Sequence, residues 1–428
     1  MQRVFSLLGF LFALYACASN APQAPGEAGV TARKEVASPA PVAQVAEKPV
    51  IPAASGVVPV SPAQEAAAAI MPSEVKPALP PVLPTEKPFP HIALLLPVQS
   101  PVFGASADAV RRGFIAAVNF RTQTMPVRVY SNFDESSGVV AMYRQAIANG
   151  AQAVVGPLTR NGVNALMTDQ DIPVPTLALN IVEGQPAKQL YLFGMSVDSE
   201  AREVALLAAQ QGLHQAIIIG TRSQLSQRLQ TAFEEEWSGH GSGAATSTDR
   251  GILREVQFNG DPSVFSDIAD ISDTMVFLAA DAAKARLIRP YLPNRLPIFA
   301  TSQIFLGNDK TLTNYDLNGI RFVDMPWLLQ PDHPAVMVYP RASPPLPVDL
   351  DRLYALGIDS YRLIQLLLAD RVASGLPLDG VTGEIGLVGH TFQRTALPAV
   401  FVQGHAQLLD APDTPTAQVF PGQPMAKP

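Results

Sequence analysis

Few residues in this sequence are of the types that do chemistry. The chain of 428 residues carries one cysteine, Cys17, and six histidines, His91, His214, His240, His333, His390 and His405. A single thiol excludes a disulfide framework and every multi-cysteine metal site. No two histidines are spaced as local metal ligands, so no metal site is expected. There is no Gly-x-Ser-x-Gly elbow and no phosphate-cradling glycine loop ending in lysine. Asp324 and Asp359 are candidate paired carboxylates, but nothing in their spacing brings them together. Asp359 and Arg362 stand three residues apart on an apolar stretch, the spacing of a local ion pair. We therefore expect no catalytic residues and no cofactor, and read the chain as a binding protein, not an enzyme.

Binding chemistry has better candidates. Gln99 and Ser100 follow one apolar run, Gly156 to Asn161 follow a second, Asn180 a third and Thr301 a fourth. In open α/β sheets ligands sit beyond the carboxyl ends of the strands, where these residues fall. Thr159 and Asn161 could hold a carboxylate together with helix N-terminal amides, with Arg160 adding charge. Thr159 could equally cap a helix. No acidic and aromatic pair stands ready for an ammonium group, so an amino-acid receptor is the weaker reading. Between Met325 and Asp349, seven prolines accompany Trp327 and Tyr339. Such a segment is neither strand nor helix interior. It reads as a rigid strap across the fold or as a loop that docks a partner through Trp327 and Tyr339.

The elements that must position these residues alternate. Ile92–Pro97 is a continuous apolar run, the pattern of a buried parallel strand. A helix follows over Ala105–Phe120, with Val110, Gly113, Phe114, Ala117 and Val118 on one face. Strand Val127–Tyr130, helix Ser137–Asn149, strand Ala153–Val155 and strand Thr176–Leu179 continue the series. Strand Tyr191–Val197 leads to a helix capped by Asp198 or Ser199, with Glu200 and Glu203 near its positive end. The pattern then repeats: strand Ala216–Ile219, helix Gln224–Trp237, strand Leu253–Phe258, helix Ser263–Ala269, strand Met275–Ala279, helix Ala282–Ile288 and strand Pro297–Thr301. Ser238–Gly251 is a mobile insert by composition. A long apolar helix over Asp351–Ala373 completes the two units. The fold class is α/β, with two lobes on the plan of type I periplasmic binding proteins, each a parallel sheet flanked by helices.

The ends differ in texture. Arg3 precedes thirteen largely apolar residues, Val4–Ala16, too few to span a membrane, which takes about 20. They end in Leu14-Tyr15-Ala16-Cys17, which resembles the lipobox of bacterial lipoproteins, in which the cysteine is acylated and becomes the first mature residue. Ala18 follows Cys17 in place of the aspartate that retains such proteins at the inner membrane. The resemblance therefore implies the periplasmic face of the outer membrane. Ala18–Pro90 contains 15 Pro and 17 Ala among 73 residues, with Phe89 its only aromatic. It buries too little to fold and reads as a tether reaching up to ~230 Å. The expected organisation is a signal peptide at 1–16, the tether at 17–90, a two-lobed domain at 91–410 and a flexible tail at 411–428. Lobe 1 should comprise about 91–200 and part of 301–380, and lobe 2 about 201–300 and part of the C-terminal region. The formal charge of -7 argues against a nucleic-acid partner.

Several short stretches, taken in order, resemble one family: Ile92-Ala93-Leu94-Leu95-Leu96-Pro97, Val155-Gly156-Pro157-Leu158, Leu177-Ala178-Leu179-Asn180, and Phe193-Gly194-Met195-Ser196 with Glu200-Ala201-Arg202-Glu203. Phe299-Ala300-Thr301-Ser302, Phe322-Val323-Asp324-Met325-Pro326-Trp327, Tyr354-Ala355-Leu356-Gly357-Ile358-Asp359 and Gly383-Glu384-Ile385-Gly386 continue it. From His91 to about Asp410 the chain is similar to the C-terminal domain of the penicillin-binding protein activator lipoproteins, the LpoA/LppC-like family. The resemblance implies a lipoprotein that binds a class A penicillin-binding protein and regulates peptidoglycan synthesis without chemistry of its own. Enterobacterial members carry a helical-repeat domain where this chain has the tether. The alternative is a tethered receptor for a small solute.

Overall fold

The computed structural model describes residues 88–122, 124–131, 135–169, 171–239 and 251–409. Cys17, the signal peptide, nearly all of the tether, the insert over 240–250 and the tail at 411–428 lie outside the described residues. The described chain begins with β1 (His91–Leu95), α1 (Gly104–Asn119), β2 (Val127–Tyr130), α2 (Glu135–Ala148), β3 (Ala151–Val155), α3 (Arg160–Met167), β4 (Thr176–Ala178) and β5 (Leu190–Phe193). It then crosses to α4 (Val197–Gln210), β6 (Gln215–Gly220), α5 (Gln224–Trp237), β7 (Gly251–Gln257), β8 (Thr274–Ala279), α6 (Ala282–Ile288), β9 (Ile298–Ala300), α7 (Thr311–Asn314) and β10 (Ile320–Asp324). A return path through α8 (Pro326–Leu329) and α9 (Pro334–Met337) leads to α10 (Val348–Leu368), α11 (Val372–Gly375), β11 (Leu378–Asp379), β12 (Glu384–Val388) and β13 (Thr391–Thr395). The last crossing leads to β14 (Leu397–Val402) and β15 (His405–Leu408).

Two sheets result. The first runs β11-β12-β13-β5-β4-β3-β1-β2 and the second β15-β14-β10-β9-β8-β6-β7. Each has a parallel core: β2-β1-β3-β4-β5 in lobe 1 and β7-β6-β8-β9-β10 in lobe 2, the same order of strands by position. The central strands are buried on both faces, unlike the edge strands β2 and β7, which is why β1, β6 and β8 read as apolar runs. The two-lobed α/β architecture is thus the one the alternation implied. The C-terminal strands add an antiparallel border to both sheets, β11-β12-β13 to one and β14-β15 to the other.

Packing explains the long helix. α10 lies across α1 on one face of the first sheet, and Gly113 and Gly357 form the crossing point. A Cβ at Gly113 would overlap the Tyr354 carbonyl, and one at Gly357 the Val110 carbonyl. Both glycines are there because the backbones approach too closely for any side chain. Phe114 and Tyr361 then meet edge to face, with centroids 5.3 Å apart.

Several local expectations change: the helix expected over Asp351–Ala373 runs Val348–Leu368, and the strand expected over Tyr191–Val197 is Leu190–Phe193. α4 is capped by Ser196, whose hydroxyl accepts the Ser199 N–H at 3.4 Å, earlier than Asp198 or Ser199. Asp198 is free to turn outward to Arg228. The helix expected over Ser263–Ala269 is a single 3-10 turn, Pro262–Phe265, capped by Asp261. The Arg254–Asp267 ion pair ties the following residues to β7, and burial of Phe265 and Ile268 is achieved without further turns.

Candidate functional site

The strand order in lobe 1 reverses between β1 and β3, which creates a crevice at their carboxyl ends. A cavity of about 580 Å³ opens there. It brings together five residues expected from sequence: Ser100, Thr159, Arg160, Asn161 and Asn180. Apolar Pro101, Val102, Phe103, Leu158 and Leu353 line it too, with polar Ser106 and Glu135 completing the wall. Among the described residues Arg160 has no hydrogen bond or ion pair, and it also borders a second cavity of about 620 Å³ between the lobes.

Most of the polar groups in the first cavity already have partners. The Thr159 hydroxyl accepts the Gly162 N–H at 3.1 Å, so Thr159 is the cap of α3. The Ser100 hydroxyl accepts from Val102 and Phe103 N–H at 3.3 and 3.2 Å. Asn180 donates to the Leu158 carbonyl at 3.1 Å and accepts from Ile181. Above all, the Glu135 carboxylate, at the start of α2, accepts the N–H groups of Leu158 at 3.1 Å and Thr159 at 2.7 Å. These are the backbone donors that would hold a ligand carboxylate. An internal carboxylate, only 3% exposed, holds them instead. Sequence reasoning missed Glu135 because only the fold places it 23 residues away against this turn.

The other expected cleft residues lie elsewhere. Gln99 is exposed beside the cavity and does not line it. Gly156 is buried at φ +109° in the turn after β3, where a Cβ would strike the Leu95 carbonyl, so its role is structural. Thr301 is wholly buried at the end of β9 in lobe 2 and cannot meet a ligand.

A denser polar cluster sits where the chain crosses between lobes, at residues 194–196, at Met325 and at Ala396. Arg394, on β13 of lobe 1, donates to Glu200, on α4 of lobe 2, at 2.6 Å. Glu200 also accepts the backbone N–H and the hydroxyl of Ser302 at 3.2 and 2.7 Å. Arg352, on α10 of lobe 1, forks onto Asp324, at the end of β10, at 2.6 and 3.2 Å. It donates further to the carbonyls of Ser302 and Phe305, each at 3.0 Å. Burial disfavours the Arg352 cation, but Asp324 and Glu200 outweigh it and hold the guanidinium charged. Burial pushes the Asp324 carboxyl up, opposed by the same guanidinium.

Glu203, one turn along α4, is a third acid in this cluster. Burial pushes it up to about 8, with Glu200 adding to the rise and Arg394 and the Ala396 N–H opposing it. Its folded value lies above its unfolded one, so the folded state binds the extra proton. That contribution is complete below about pH 4.5 and is lost as pH rises through about 8. Glu203→Gln should therefore match the wild type at pH 4.5 and exceed it by about 3–5 kcal/mol at pH 9. Urea melts at both pH values would show this; equal stabilities at pH 9 would count against a protonated Glu203.

The proline-rich segment is a strap. Trp327 is wholly buried in the lobe 1 core, with the Arg341 guanidinium 3.8 Å above its ring and Tyr354 5.6 Å away. It is therefore no exposed docking anchor. Tyr339 is half-buried against the exposed Phe120 ring at 5.5 Å. Asp359 pairs with Arg362 at 3.1 Å and accepts from Val381 and Thr382, pinning the loop before β12. Among the described residues no three histidine, cysteine or acidic side chains gather as a metal site, and no helix is long and apolar enough to cross a membrane.

Two like α/β lobes, three crossings and a crevice at the switch point define the class of type I periplasmic-binding-protein folds. Within it, the family model described as "LppC putative lipoprotein" matches residues 61–391, and the chain belongs to that family. It is 27% identical over 329 residues to the penicillin-binding protein activator LpoA of Photobacterium profundum, covering 69% of this chain and 53% of that one. The LpoA of Haemophilus influenzae is 26% identical over 304 residues, covering 68% and 50%. The chain thus spans about half the length of the curated relatives it matches. Among solved structures, the Haemophilus influenzae LpoA (YraM) C-domain, described as a regulator of PBP1A, superposes with a TM-score of 0.62 at 25% identity, covering 74% of this chain and 99% of that one. A Chromobacterium violaceum protein described as "a putative branched-chain amino acid ABC transporter" superposes with a TM-score of 0.61 at 35% identity, covering 73% and 99%.

Proposed function

We propose that this protein is a lipoprotein of the outer membrane whose two-lobed domain binds a class A penicillin-binding protein and raises its peptidoglycan synthesis. The observation that carries this reading is Glu135. A solute receptor needs free donors in its crevice, and here the two amides best placed for a carboxylate are bonded to the protein's own side chain. The domain then acts through surface contacts that bias the synthase's conformation. Activation in the LpoA relatives supports the same reading. The receptor reading draws on the unpartnered Arg160 beside an apolar cavity and on the Chromobacterium violaceum relative.

The test is to mix the purified chain with a class A synthase and follow glycan polymerisation and cross-linking. Stimulated synthesis with co-purification is expected, and Thr159→Ala should leave it unchanged. A saturable amino-acid ligand lost in Thr159→Ala, without any effect on the synthase, would favour the receptor. Anchoring has its own test. Cys17→Ser should yield a folded protein released from the membrane fraction, with no acyl mass on the mature N-terminus. An unmodified wild-type N-terminus elsewhere in the chain would reject the anchor.

A further inference from the structure

We propose that the hinge is a built-in ionic latch that holds the two lobes at one angle without any ligand. In hinge-bending receptors the closed state is favoured by contacts that only the ligand completes. Here the chain completes them itself. Arg394 and Arg352 belong to lobe 1, and their carboxylates, Glu200 and Asp324, belong to lobe 2. Two cations meet two anions, and Ser302 lies between the pairs, its hydroxyl donating to Glu200 and its backbone carbonyl accepting from Arg352. All four charged side chains are at most 7% exposed.

Rotation of one lobe against the other would carry the guanidiniums of lobe 1 away from acceptors fixed in lobe 2, and a hydrogen bond is lost once donor and acceptor part beyond about 3.5 Å. Each arginine would then leave a buried carboxylate unpaired, the costly half of a buried ion pair. The fork of Arg352 is the stricter constraint, since it must meet Asp324 and two carbonyls at once. The inference concerns the domain itself and stands whichever partner it serves.

The experiment measures the distance between spin labels at two exposed positions, Gln145→Cys on α2 and Lys284→Cys on α6, in the full chain carrying Cys17→Ser. A single narrow distance is expected, unchanged by a mixture of free amino acids. In a Glu200→Gln/Arg394→Gln background, which removes both charges of one pair together, a second, longer distance should appear. Should that background fail to fold, Arg394→Lys, which keeps the charge but not the guanidinium that reaches Glu200 across the lobes, should broaden the distribution. A broad wild-type distribution, or a wild-type distance shifted by the amino acids, would overturn the latch. So would a folded Gln/Gln background, or an Arg394→Lys variant, that keeps the single narrow distance.

Discussion

Arg352→Met is expected to lower the stability of the folded protein by about 3–5 kcal/mol, the largest loss from any single charge removal here. Methionine fills much of the same volume, so packing changes little. The loss comes from what remains. Asp324, 1% exposed, would keep only the Met325 N–H at 2.8 Å. The carbonyls of Ser302 and Phe305 would lose the same donor. Arg352→Lys should recover only part of the loss, because an ammonium cannot reproduce the planar fork. A companion Asp324→Asn should restore stability to the Met variant by removing the stranded charge. Urea denaturation of the three variants measures this, and a Met variant within 1 kcal/mol of wild type would show that the pair is solvated after all.

Gly357→Ala is expected to cost about 3 kcal/mol, although alanine is the better helix former by about 1 kcal/mol. The added methyl would overlap the Val110 carbonyl and crowd the Phe114 N–H, both backbone groups of α1. Neither can rotate aside as a side chain could, so α1 and α10 must separate. The face they share includes Val110, Phe114, Tyr361 and Ile364, all buried. Gly386→Ala, in β12, is the control, since its added Cβ meets nothing within 4 Å. Thermal melts should show a large fall for the first and a small shift for the second.

The parts legible in the sequence are those fixed by local pattern. Gln224–Trp237 and Ala282–Ile288 form helices with the limits their periodicity gave, and the Ile92 and Ala216 runs form central strands. Gly113 was visible on the apolar face of α1, but its partner Gly357 was not, because 244 positions separate them and only packing pairs them. The antiparallel border strands were hidden for another reason. β11 has two residues and β13 follows β12 after a two-residue turn, too short for alternation to stand out. In the crevice, residue type pointed to Thr159 and Asn180, and both arrived there. Glu135, Arg352 and Arg394 carried no signal, since an isolated charge in sequence looks like surface.

The placement of α10 and β11–β13 sets an order of events during synthesis and export. Strands β6 to β10 of lobe 2 are contiguous between 215 and 324, so their parallel core can assemble as soon as that stretch emerges. Lobe 1 begins earlier in the chain and finishes later. Its first five strands must wait for residues 348–395 to cover Val110 and Phe114 and to border β5. Contacts this distant in sequence form slowly. Until then Ile92–Leu96 and the apolar face of α1 are open to chaperones, proteases and other nascent chains. Any truncation before Val348 leaves the older half of the molecule permanently in that state.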